Sequence, residues 1–387
     1  MIDRGEKLLP PNFRKLGIAG RRAALTAAYG TEGDDLKAIL GGDAELAESM
    51  VESAVGFGPL PLGIASGFLI DGRSYDIPMA VEEASVIAAA SFAANLVRKE
   101  GGFSTWATEP LMTAQVYLED VPPGREREIE SRESEIRADL DAFLASMRGR
   151  GGGYRGLDVA RIEETGLVRV RLRIDVRDAM GANVLDGAAE RVAPSLETIS
   201  GGRRLMCVLT NDAGDRRAGA RFEIPARRLS RGPYSGEEAA RRLELASRLA
   251  QADPSRAVTH NKGAMNGIVA LALATGNDSR ALEAGVHFWA AREGRYRGIS
   301  SFKRVGEGLE GSLELPLALG VVGGSVGFHP ATAFALRMLG DPDGPGLSRI
   351  AAALGLAQNF AAVFALVTEG IQAGHMALHS RKRKDEA

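Results

Sequence analysis

Val168, Val170, Leu172 and Ile174 alternate strictly with Arg169, Arg171 and Arg173. A period of two is that of an extended strand, and arginines at every second position cannot all be buried, so one face must be covered and the other open. The run therefore belongs to a sheet with one covered face and one open face. The neighbouring segments supply the rest of it. Met112, Ala114, Val116 and Leu118 alternate with Thr113, Gln115 and Tyr117 and predict another half-buried strand. Arg125 to Arg148 is charged but carries Ile129, Ile136, Leu140, Phe143, Leu144 and Met147 at helical spacing. Leu157 to Glu163 and Leu167 to Asp175 flank a turn at Thr165-Gly166 and predict a hairpin, followed by a helix from Ala179 to about Val192 and a strand from Arg204 to Thr210. The order βαββαβ is that of a ferredoxin-like unit.

On either side of this unit the texture changes to Ala- and Gly-rich helices such as "EASVIAAASFAANLVRKEGG" and "ALEAGVHFWAAREG". The expected class is α+β: a large, mainly helical domain from both ends of the chain (1–102 and 218–372) with a small ferredoxin-like domain (103–217) inserted. A net charge of -2 provides no field for nucleic acid. The one cysteine, Cys207, forms no intramolecular disulfide, reads as a buried small hydrophobe, and suits a cytoplasmic location, as does the charged N-terminus without an apolar signal region. Ile350 to Thr368 is uncharged and close to the length of a bilayer crossing. Gln358 and Asn359 at its centre make it a buried core helix, with no membrane partner expected.

Four motifs carry potential chemistry. "GGGYRG" at 151–156 fits a dinucleotide glycine pattern, but a helix precedes it and a strand follows, so a loop is expected. "GGSVG" at 323–327 fits a nucleophile elbow, with Asp341, Asp343 and His375 downstream, which makes a serine hydrolase acting on a (thio)ester through Ser325 the rival reading. Against it, no alternating β/α segments surround Ser325, and Pro330 delays the next helix. "HMALH" spaces His375 and His379 like metal ligands, yet Met376 stands where a zincin needs glutamate and no further ligands lie near, so no metal is expected. "DAMGAN", 178–183, follows a strand and opens a helix. There Asp178 would cap the first turn, Gly181 would admit a ligand's close approach, and the free N–H groups suit a pyrophosphate; a capped helix with a packing glycine is the equal alternative. Lys262, in "RAVTHNKGAMNG" ahead of an apolar run, is either a helix-end surface residue or a cation put to use.

Together with "ESAVGFGPLPLGIA", "PMAVEEASVIAAAS", "ATGNDSRALEAG", "LGVVGGSVGFHP", "LGLAQNFAA" and "TEGIQAGHMALHSR", these stretches resemble the hydroxymethylglutaryl-coenzyme A (HMG-CoA) reductase family in its class II bacterial form, over nearly the whole chain. The resemblance implies a small domain that binds NAD, a large domain that binds the CoA thioester, and a homodimer or higher homo-oligomer with the active site between subunits. It implies interconversion of HMG-CoA with mevalonate and CoA by two hydride transfers through a hemithioacetal. The family's catalytic residues fall on Glu83, Lys262, Asp278 and His375.

In that scheme Lys262 neutralises the oxyanion, Asp278 pairs with it and holds it charged, and Glu83, near Asp278, keeps the proton of a general acid. His375, directly after the glycine, protonates the departing CoA thiolate, a transfer from a group of pKa about 6.5 to one of about 8.5. Arg256 would hold the acyl carboxylate, with Ser85 and Asn266 bonding the same portion and Arg14 contacting CoA phosphate. The dinucleotide would meet Asp178, Met180, Gly181, Asn183 and Asn211. Asp141 would favour NAD through the adenosine ribose hydroxyls, while Arg148 and Arg150, in a three-residue insertion "RGR", leave NADP possible. Residues 373–387 would be a shortened form of the family's C-terminal flap.

Overall fold

The computed structural model describes residues 10, 12–29, 43–58 and 60–370. The chain divides into two compact units, Met1–Leu62 and Gly63–Ala387. In the first, the helix Ala44–Met50 is capped by Asp43, which accepts from the N–H groups of Glu45 and Leu46. Buried Arg21, on the helix Ile18–Tyr29, donates Nε to the Ala54 carbonyl at 2.8 Å. Arg14 lies in the 3-10 turn Phe13–Lys15.

In the second unit the four strands Gly153–Arg161, Val168–Asp175, Leu111–Glu119 and Arg203–Leu209 form one antiparallel sheet in that spatial order, the arrangement of a ferredoxin-like fold. Register pairs Val116 with Val170 and Ala114 with Leu172, so the apolar alternation of both strands falls on one face. That face is fully buried under Leu185, Ala188, Val192 and Leu196 of the helix Ala182–Ser200. Three local expectations fail. The helix runs through Pro194, because burying Leu196 and Ile199 outweighs one missing backbone hydrogen bond. The charged stretch forms three short helices, Glu126–Ser131, Glu133–Phe143 and Ala145–Arg148, rather than one. Cys207 is half-buried on the edge strand and not a core residue, since that strand has no neighbour on its outer side.

A second four-stranded sheet, in the order Ser104–Ala107, Arg217–Pro225, Gly308–Pro316, Ser300–Val305, packs with the large core. Its centre is the helix Gly344–Val367, apolar and long enough to cross a membrane but mostly buried within the protein. Phe360 on that helix sits 5.0 Å from Phe222, 5.9 Å from Phe302 and 5.6 Å from Phe364, ring centre to ring centre. The helix Pro254–Ala274 lies against it through reciprocal glycines. A Cβ on Gly355 would come within 2.7 Å of Ile268, and one on Gly267 within 3.1 Å of Leu354. This close approach fixes the helix that carries Lys262.

Candidate active site

Asp253 caps the Pro254–Ala274 helix by accepting from Ser255 N–H, and Pro254 occupies its first turn, where a missing N–H costs nothing. Two turns on, Lys262 Nζ donates to Glu83 Oε2 at 3.0 Å, across 179 positions of sequence. Glu83 lies in the turn between the strand Arg73–Ala80 and the helix Val86–Arg98, ahead of the helix rather than at its first residue. The side chains are 59% and 42% exposed, and a pair that open contributes only ~0–1 kcal/mol to folding. Stability does not account for two charged groups meeting from distant parts of the chain. A cavity of about 440 Å³ opens beside them, lined by Glu83, Ser85, Arg256, Lys262 and Asn266. Five residues chosen from sequence thus converge on one site. Burial holds the Arg256 guanidinium below its usual pKa.

Asp278 does not pair with Lys262. It caps the helix Ser279–Ala291, accepting from Arg280 and Ala281 N–H, and its other oxygen lies 3.2 Å from the Arg280 guanidinium. An aspartate directly before a helix finds two unsatisfied N–H groups within its own turn, so the local partner is taken first.

Sequence reasoning missed a buried network behind Lys262. Ser300 Oγ donates to Asn359 Oδ1 at 2.6 Å, and Asn359 Nδ2 donates to the His260 carbonyl at 2.6 Å. His260 Nε2 therefore donates to Ser300 Oγ, at 2.7 Å, which leaves Nδ1 buried without a partner. Burial, with the Arg256 charge nearby, pushes the His260 pKa down to about 4. His260, two residues before Lys262 on the same helix, and Asn359 line the same cavity, so the network holds the stretch of helix that presents Lys262 to it. The available signal was the polar run "THNKG" inside an otherwise apolar helix, which leaves polar groups on both faces.

Four of the expected dinucleotide residues, Asp178, Met180, Gly181 and Asn183, lie at the start of the Ala182–Ser200 helix. Gly181, at φ 105°, occupies the cap position, and no side chain caps the first turn. Asp178 was expected to cap it. Its Oδ1 instead accepts from Gly344 N–H at 2.9 Å, at the start of the terminal helix, because the turn through Gly181 carries the carboxylate away from its own helix. A Cβ on Gly181 would lie 2.7 Å from Val176, so packing as well as positive φ requires glycine. Asn183 is exposed in the first helical turn, and Met180 is half-buried before it. Asn211 is exposed beyond the edge strand, and its carbonyl packs closely on Gly285. Asp141 lies 3.5 Å from the Arg148 guanidinium.

A family model described as hydroxymethylglutaryl-coenzyme A reductase matches residues 17–380. The chain belongs to the HMG-CoA reductase family. It is 43% identical to the 3-hydroxy-3-methylglutaryl-coenzyme A reductase of Archaeoglobus fulgidus, over 96% of this chain and 85% of that protein. Identity to the probable reductase of Borreliella burgdorferi is 36%, over 86% and 77%. The fold superposes on the class II reductase of Streptococcus pneumoniae, described bound to NADPH in open conformations, with a TM-score of 0.82 and 38% identity over 92% of this chain and 99% of that one. The protein is thus an NAD(P)-dependent oxidoreductase of class II type that interconverts HMG-CoA with mevalonate and CoA.

The hydrolase reading has no geometric support in the reductase. Ser325 sits in a run of turns and no strand leads into it, while Asp343 caps the Gly344–Val367 helix by accepting from Gly346 N–H. Pro330 starts a helix, Pro330–Met338, instead of delaying one. Of "GGGYRG", expected as a loop, only Gly151 and Gly152 lie outside regular structure; the strand begins at Gly153, and no helix follows as a dinucleotide glycine pattern requires. Among the described residues no group of three or more His, Cys, Asp or Glu could hold a metal. His375, His379 and the flap segment 373–387 lie outside the described residues.

Proposed function

We propose that Glu83, Lys262, Asp278 and His375 are the catalytic residues, acting in the cytoplasm in a homodimer or larger homo-oligomer whose active site forms between subunits. The observation that carries this reading is the 3.0 Å pair of Lys262 and Glu83 at the mouth of a cavity also lined by Ser85, Arg256 and Asn266. Arg256 offers a planar fork of donors to the acyl carboxylate, and Ser85 and Asn266 offer hydrogen bonds to the same end of the substrate. Arg14 contacts CoA phosphate.

The Lys262 ammonium stands beside the reacting carbonyl and neutralises the charge that grows on oxygen as the thioester is reduced. Glu83, hydrogen-bonded to it through one oxygen, would in its protonated form deliver the proton that converts alkoxide to hydroxyl and be left as the carboxylate. Asp278, fixed by its own helix cap, contributes its charge from a rigid position. His375 protonates the departing CoA thiolate. The open, solvent-facing state of the Lys262–Glu83 pair in a single chain supports a site completed by a partner subunit and the flap, which together exclude water.

The nicotinamide cofactor supplies the two hydride equivalents. The start of the Ala182–Ser200 helix fits its pyrophosphate: the first-turn N–H groups have no side-chain cap, and Gly181 presents no Cβ. Met180, Gly181 and Asn183 would hold it there, with Asp178 keeping the loop in place and Asn211 a further contact to the dinucleotide. Asp141 supports NAD. The Arg148 guanidinium beside it favours a second reading, NADP, since it offsets that carboxylate and presents a cation to a 2′-phosphate.

Purified protein mixed with mevalonate, CoA and either NAD or NADP should produce absorbance of reduced nicotinamide, and the ratio of kcat/KM for the two cofactors decides between Asp141 and Arg148. Absence of reduced cofactor with both would reject the assignment.

A further inference from the structure

Arg216 is 3% exposed, and burial pushes its pKa down to about 10 against the pull of Asp175 and Asp178. It remains charged at neutrality. The guanidinium spends its hydrogen bonds on backbone: Nη1 donates to the Ala179 carbonyl at 2.9 Å and the Met180 carbonyl at 3.4 Å, and Nη2 donates to the Leu319 carbonyl. A buried cation whose hydrogen bonds all go to carbonyls, with Asp175 and Asp178 acting only through their charge, is an expensive way to gain stability, because neutral acceptors do not fully replace the lost hydration. What it gains is geometry, since the rigid fork binds two separate segments at once.

Those segments lead to opposite sides of the reaction. Ala179 and Met180 form the loop that opens the Ala182–Ser200 helix. Leu319 is followed by Gly320, whose N–H donates to Asn277 Oδ1 at 2.8 Å, and Asn277 immediately precedes Asp278. The two segments touch along their length. Val321 N–H donates to the Asp178 carbonyl at 2.8 Å, and a Cβ on Gly320 would lie 2.5 Å from Met180 N. We propose that Arg216 is a positioning residue that sets the separation between the dinucleotide loop and the Asp278 turn. The inference rests on the reading that residues 178–183 seat the dinucleotide.

Arg216→Lys keeps the charge but loses the fork, and Gly320→Ala presses on the same contact from the other side. Both variants are to be compared with the full-length wild type by equilibrium titration with NADPH and NADH, by titration with CoA, and by kcat and KM. In each variant dinucleotide affinity should weaken about tenfold or more and kcat should fall, with CoA affinity held within twofold. Unchanged dinucleotide affinity and kcat in Arg216→Lys would overturn the proposal. So would parallel loss of CoA and dinucleotide binding with a lowered Tm, the signature of a purely structural arginine. If Arg216→Lys fails to fold, Gly320→Ala alone must show the selective loss, and its absence overturns the proposal as well. A wild type that binds no dinucleotide would remove the underlying cofactor assignment, a distinct failure seen before any variant is made.

Discussion

Lys262 and Arg216 are both cations near the proposed site, and the fold treats them in opposite ways. The Lys262 side chain is 59% exposed and meets one carboxylate. Arg216 is 3% exposed and meets three carbonyls. An exposed ammonium has little structural worth and is free to follow charge as it develops on a substrate. A buried guanidinium is committed before any substrate arrives. The difference separates a group that does chemistry from one that holds the parts of a site in register.

The largest effect should come from the exposed cation. Lys262→Met should lower kcat/KM about 10³-fold, some 4 kcal/mol of transition-state stabilisation, while leaving Tm nearly unchanged because the lost ion pair contributed under ~1 kcal/mol. The buried cation should reverse this pattern. Arg216→Met should cost roughly 3 kcal/mol or more in urea unfolding, since three carbonyls lose their donor in a dry environment. Equal losses of stability in the two variants would dissolve the contrast.

His260 tests the same contrast through pH. Its folded pKa of about 4 lies below the ordinary value of about 6.5, so the unfolded chain binds the extra proton first. Its contribution to stability is present above about pH 6.5 and declines as pH falls toward 4, at ~1.4 kcal/mol per pH unit. His260→Asn should flatten that part of the stability curve measured by denaturant titration between pH 7 and 4.5. The smallest effect belongs to Ser325→Ala, which should leave turnover within twofold; a large loss would revive a nucleophilic role for that turn.

The small sheet was legible because its signal is local. Val168 to Ile174 and Met112 to Leu118 each carry the period of a strand, and pairing Val116 with Val170 only completes what alternation requires. The identity of the site residues was also legible, through ordered motifs. Their partners were not. Asp178 looked like the cap of the helix that follows it and instead serves Gly344, and Asp278 looked like the partner of Lys262 and instead caps its own helix. Both errors arise because a short carboxylate has several N–H groups or cations within reach, and backbone turns choose among them.

By itself the sequence determined the order of elements in the small sheet unit, the class II reductase motifs and the inventory of charged and polar groups at the site, because periodicity and motif spacing act over a few to a few tens of residues; the strands of the second sheet lay in flanks that read as helical. The tertiary structure decided that Glu83 meets Lys262 across 179 positions, that Arg216 joins the loop at Ala179 to the segment at Leu319, and that His260 is buried and neutral. Contacts over such separations are set by which helices pack together. In this chain that is decided by the close approach of the Pro254–Ala274 and Gly344–Val367 helices at Gly267 and Gly355, which brings Asn359 to His260 and turns Lys262 outward.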